Sequence, residues 1–143
     1  MTDPNDRKAA EGSGTCNERM RYLNAYYIRT ALQRGKTIGQ FLGGGATGEH
    51  RTIRWLDIRP DGERFCLAYY EAIDEGSDSF LDLYEFPYAS PDDDPPEHFF
   101  NTIEEALRYS GSAYGASDSR WVNQFVVQDE YADYLKKQSR LKP

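Results

Sequence analysis

Ile53-Arg54-Trp55-Leu56-Asp57-Ile58-Arg59-Pro60-Asp61-Gly62-Glu63-Arg64-Phe65-Cys66-Leu67-Ala68-Tyr69-Tyr70 reads as a β-hairpin. Pro60 presets φ, Asp61-Gly62 tolerates the positive φ of a tight reversal, and the β-branched and aromatic residues on either side suit a pleated surface. A second turn signal at Glu75-Gly76-Ser77-Asp78 leads into Phe80-Leu81-Asp82-Leu83-Tyr84-Glu85-Phe86. The stretch from Arg51 to Tyr88 therefore predicts an antiparallel meander of three strands.

Setting Asp74 opposite Ser79 across the second turn places Ile73 by Phe80, Tyr69 by Tyr84, Leu67 by Phe86 and Phe65 by Tyr88, which makes one apolar face. The same register places Glu71 opposite Asp82. Facing carboxylates repel unless a cation or a shared proton relieves them, and Arg54 or Arg51 lies within reach. Left unrelieved on a buried face, such a pair separates into an acid and a base, as in glycosyl and proton-transfer chemistry. Glu71 and Asp82 are thus the candidate catalytic pair. The other face carries Cys66, Ala68, Tyr70 and Ala72 beside Leu81 and Leu83, with Trp55 filling the space over Ala68, so cover is expected on both sides.

Outward from the meander, Met20, Leu23, Tyr27, Ile28 and Ala31 recur at helical spacing between Asn17 and Arg34, with Arg19, Arg21, Arg29 and Arg34 on the polar side and Gly35 as the stop. Thr37-x-x-Gln40 predicts a short helix to Leu42, and Gly43–Gly48 a flexible linker, since it lacks the Gly-Lys-Ser/Thr ending of a phosphate-binding loop. Downstream, Ser90–Glu97 is a proline-stiffened acidic loop without calcium-loop spacing, and His98-Phe99-Phe100 offers a fourth strand. Asn101-Thr102-Ile103-Glu104-Glu105 opens a helix with two overlapping cap-and-Glu registers; this helix from Thr102, buried along Ile103, Ala106, Leu107 and Tyr114 and stopped by Gly115, is the element expected to pack on the sheet. Trp121–Val127 is either a last strand or a buried connection. Asp129 is the expected cap of a final helix in which Tyr131, Tyr134 and Leu135 share a face.

The fold class expected is α+β: an antiparallel meander of three to five strands, a helix on one face and flanking N- and C-terminal helices. At 143 residues and 38% hydrophobic content the chain suits one domain, taken as residues 16–143 behind a disordered polar tail at residues 1–15. Residues 1–14 lack the apolar core of a secretory signal, and no run approaches a membrane span. Cys16 and Cys66, far apart, fit free thiols in a cytoplasmic protein. His50 and His98 show no metal-ligand spacing with them, so neither a metal nor a cofactor is expected.

Charge is unevenly placed. Residues 1–60 hold ten Lys/Arg against six Asp/Glu, whereas residues 61–105 hold fourteen Asp/Glu against Arg64 alone. An anionic middle repels nucleic-acid phosphate and speeds capture of basic partners, and the eleven tyrosines suit an interface. The leading expectation is a non-enzymatic binding module for a basic protein, of toxin-neutralising or adaptor type. Its contact residues would be Asp74, Glu75, Asp78, Asp92, Asp93 and Asp94. One alternative is a small-molecule binder or hydrolase built on Glu71 and Asp82. Another is self-association of the basic first third with the acidic middle of a second copy.

Overall fold

The computed structural model describes residues 21–77, 80–90, 92 and 94–138. The expected tail, together with Cys16, Arg19, Asp78 and Asp93, lies outside the described residues. The described residues form a five-stranded antiparallel sheet with three helices. In chain order these are α1 (Ala25–Gln33), β1 (Ile38–Thr47), β2 (His50–Asp61), β3 (Arg64–Ile73), β4 (Glu97–Phe100), α2 (Ile103–Tyr114), β5 (Val122–Asn123) and α3 (Val127–Lys137). The strand order is β4-β3-β2-β1-β5.

The hairpin at Asp61-Gly62 forms as its residues dictate, with Gly62 at φ 63° and Leu56 opposite Tyr69 on β2 and β3. The third strand of the meander is β1, not Phe80–Phe86. Asp82 accepts the Tyr84 amide at 3.1 Å and turns Leu83–Glu85 into a single 3-10 turn, which drops Leu83 and Phe86 into the core. The expected short helix and glycine linker are both replaced by β1, paired with β2 along its whole length. A bulge between Phe41 and Gly43, with Gly43 at φ 104°, keeps that strand twisted.

Alternation along the strands gives two apolar layers. Leu56, Ile58, Leu67 and Ile38 face α1 and α2, which supply Ile28, Leu32, Ile103 and Ala106, with Trp121 closing the layer. Ile53, Trp55 and Ala72 face α3, which supplies Val127, Tyr131 and Leu135 alongside Leu83, Phe86 and Val122. Trp55 stacks on Tyr70, its cross-strand neighbour, at 5.2 Å between centroids.

The helix expected over 17–34 is broken before Ala25. The Leu23 amide leaves the helical pattern to bond the Trp121 carbonyl at 2.8 Å, and Asn24 becomes the cap by accepting the Tyr27 amide at 2.9 Å. Of the two cap-and-Glu registers, α2 uses the capping box of Thr102 and Glu105, and it ends at Gly115, φ 75°. Trp121–Val127 resolves into the two-residue β5 and a 3-10 turn. α3 begins at Val127, with no side-chain cap from Asp129. Among the described residues no helix is long and apolar enough to cross a membrane.

Candidate functional site

β3 reaches β4 through a long crossover, Asp74–Pro96, that contains eight Asp/Glu and no Lys or Arg. It first crosses the α3 side of the sheet, where Asp74 accepts the Tyr131 hydroxyl and the Gly76 amide, and Asp82 accepts the Gln128 side-chain amide at 3.0 Å. The Tyr84 hydroxyl donates to the Gln124 carbonyl at 2.8 Å. The crossover then turns around the β3 edge. The Ile73 amide bonds the Pro87 carbonyl at 2.8 Å, Ala72 bridges Tyr88, and the Ala89 amide bonds the Glu71 carbonyl at 2.9 Å. Contact with β3 resumes where the Tyr69 amide bonds the Pro96 carbonyl at 3.1 Å.

Between those two anchors lies a half-open cleft of about 210 Å³ lined by Tyr69, Glu71, Tyr88, Ala89, Ser90, Asp94, Pro95 and Pro96. Tyr69 and Glu71 share a strand face because they are two residues apart. The Tyr69 ring is fixed from behind by Tyr114, stacked at 4.6 Å with planes 7° apart. Burial, and then the Glu71 charge, raise the Tyr69 hydroxyl above the ordinary tyrosine range. Glu71 Oε2 accepts the Thr52 hydroxyl at 2.6 Å, and Oε1 faces the Tyr69 hydroxyl at 3.4 Å.

The structure does not bring Glu71 and Asp82 together. The cross-strand neighbour of Glu71 is Arg54, on the α2 side of the sheet, while Asp82 caps the 3-10 turn and bonds α3 on the other side. Arg54 directs its guanidinium to the Leu42 carbonyl at 3.2 Å, and among the described residues Glu71 forms no ion pair. Of the six acids expected to contact a partner, Asp74 is tied to Tyr131 and Glu75, Asp92 and Asp94 are exposed, Asp94 at the cleft. Asp78 and Asp93 lie outside the described residues.

His98 is held by Tyr114, its Nε2 2.9 Å from the phenol oxygen, and Cys66 is a buried free thiol that burial pushes up. No group of three potential metal ligands occurs among the described residues.

Two features escaped the sequence reading. Asp57 was read as an ordinary strand position, yet it is 5% exposed, its Oδ1 has no hydrogen-bond partner, and burial pushes its pKa to about 7, against the opposing pull of Arg59 and Tyr70. Glu130, in the first turn of α3, has a side chain only 3% exposed and joins Arg21 at 2.6 Å, Tyr22 at 2.7 Å and Arg120 at 2.8 Å. Burial and that bond push the Tyr22 phenol up to about 12. Neither had a local signal, because both depend on what lies opposite in space. Comparison with known proteins finds no matching family model, no matching curated protein and no matching solved structure.

Proposed function

We propose that the chain is a binding module for a basic protein, engaged through the acidic crossover between β3 and β4. One observation carries this reading: Glu75, Glu85, Asp92 and Asp94 stand exposed on a crossover with no Lys or Arg of its own, and none is ion-paired among the described residues. Exposed acids elsewhere are partly matched: Glu97 by Arg59 at 2.9 Å, Glu104 by Arg29, and Asp61 by Arg64 at 3.8 Å. An unmatched anionic surface steers cationic partners and accelerates their capture. The free Cys66 thiol fits a reducing cytoplasm as the place of action.

An oligolysine peptide is the probe for the test. Its association rate by stopped flow should fall about tenfold when Glu75, Asp92 and Asp94 are changed together to Lys, with a flattened salt dependence. A control with Glu49, Glu63 and Asp118 changed to Lys alters net charge equally but leaves the crossover intact. Equal losses in the two triples would mean that net charge alone governs capture, and the reading would fall.

A further inference from the structure

The acids of the crossover give long-range attraction, but the cleft beside Tyr69 and Glu71 has the makings of a specific contact. Its volume of about 210 Å³ is below the roughly 300–1,000 Å³ of pockets that enclose whole ligands, so it suits one side chain. Its walls are two tyrosines and two prolines, its depth holds Glu71 and its rim Asp94. Glu71 is half-buried and oriented by the 2.6 Å bond from Thr52 to Oε2 and a long 3.4 Å bond from the Tyr69 hydroxyl to Oε1, which leaves each oxygen a lone pair to accept with. Gly45, beside it on β1, adds no side chain; a Cβ there would come 3.0 Å from the Thr52 hydroxyl and 3.4 Å from Glu71 Oε2. Stacking on Tyr114 favours this position of the Tyr69 ring.

We infer that this cleft takes a single arginine side chain of the basic partner, its guanidinium on Glu71 and its plane against the tyrosine walls. This rests on the proposed binding of a basic protein and adds the contact that would select among basic partners. A guanidinium fits better than an ammonium for two reasons. It is planar and more weakly hydrated, so an aromatic and proline-walled cleft desolvates it readily, and it bonds a fixed carboxylate through more than one N–H. Arg54, the cross-strand neighbour of Glu71, lies against Tyr69 and bonds the Leu42 carbonyl, but among the described residues it forms no ion pair with Glu71, so the carboxylate still faces the cleft.

The test is a titration of the isotopically labelled protein with N-acetyl-arginine amide, followed by amide shifts in NMR spectra. Saturable shifts at Tyr69, Glu71, Ala89 and Ser90 in the millimolar range are expected, with the neutral citrulline analogue giving none and the lysine analogue binding several-fold more weakly. Glu71→Gln keeps the shape of the side chain and should weaken arginine-amide binding about tenfold; Tyr88→Ala, at a position 38% exposed, should weaken it without disturbing the fold. Absence of saturable shifts, equal binding of the citrulline or lysine analogue, or full binding by Glu71→Gln would each overturn the inference. Failure here is separable from failure of the broader reading. If oligolysine capture depends on Glu75, Asp92 and Asp94 but arginine amide ignores the cleft, only the cleft is lost. If arginine amide binds there but the two triple variants capture oligolysine alike, the crossover reading is lost instead.

Discussion

Asp57 is the residue whose chemistry departs furthest from its sequence appearance. It sits in the middle of β2, between Gly39 and Ala68 on the neighbouring strands, and faces the α3 layer. A charged carboxylate there would have to leave water without a full set of donors, which is why its pKa rises from 3.8 to about 7. The folded state therefore holds a proton that the unfolded chain has already released between about pH 4 and pH 7. The stabilisation tied to that proton is complete below the unfolded pKa and is lost as pH rises through the folded one, at up to about 1.4 kcal/mol per pH unit. Asp57→Asn removes the titration, so the difference in unfolding free energy between wild type and variant should change by on the order of 2–3 kcal/mol between pH 5 and pH 7, with wild type losing ground. Urea unfolding at the two pH values measures this, and parallel pH profiles would show that Asp57 ionises normally. Gly76 illustrates a different single-residue constraint. A Cβ there would overlap the hydroxyl and ring of the fully buried Tyr131, so Gly76→Ala should cost about 1–3 kcal/mol and lower Tm, even though φ at this position is ordinary.

Elements whose shape depends on their own residues were the readable ones. The Asp61-Gly62 hairpin, β4 over His98–Phe100 and α2 between its Thr102 cap and Gly115 all follow from short-range chemistry. Thr102→Ala breaks the capping box and should lower stability by about 1 kcal/mol, seen as a Tm drop of several degrees, whereas Asp129→Ala, at the site of an expected cap that does not form, should have a smaller effect. β1 was unreadable because glycine lacks strand propensity, and the need for glycine there comes from other parts of the molecule. A Cβ on Gly44 would meet the Tyr134 hydroxyl from α3, and one on Gly45 would press on Thr52 and Glu71. Phe80–Phe86 failed for the converse reason: its alternation is strand-like, but Asp82 closes a local 3-10 turn and the apolar residues then serve the α3 layer instead of a ladder. That error moved Asp82 beside Glu71 on paper. The face on which Glu71 and Tyr69 lie was still correct, since it follows from strand parity on β3 alone.

At the scale of the whole molecule, the two edges of the sheet are wrapped by opposite means. At the β3–β4 edge the crossover passes from the α3 layer to the α2 layer without any basic residue, so its charge is turned outward. At the β1–β5 edge the layers are joined by Glu130 of α3, which collects Arg21 and Tyr22 from before α1 and Arg120 from before β5, while Asp133 adds a second partner for Arg21 at 2.7 Å. The count of charges along the sequence showed the acidic middle. It could not show that Arg21 and Arg120 are consumed at the far edge, because that depends on the folding of residues 109 and 10 positions apart from Glu130. Glu130 is almost fully buried, and removing it takes the partner from the Tyr22 hydroxyl and from Arg120 and leaves Arg21 with Asp133 alone. Glu130→Ala should therefore cost about 1.5–3 kcal/mol, more than the roughly 0–1 kcal/mol expected for breaking the exposed Arg59–Glu97 pair with Glu97→Ala. Urea titrations of the two variants decide the point, with the m-value showing whether the unfolding unit stays the same. A cost for Glu130→Ala no larger than that for Glu97→Ala would mean that the layers are held at this edge by apolar contacts such as Trp121 and Val122, and that the basic residues there are free to answer the acidic crossover of a second copy.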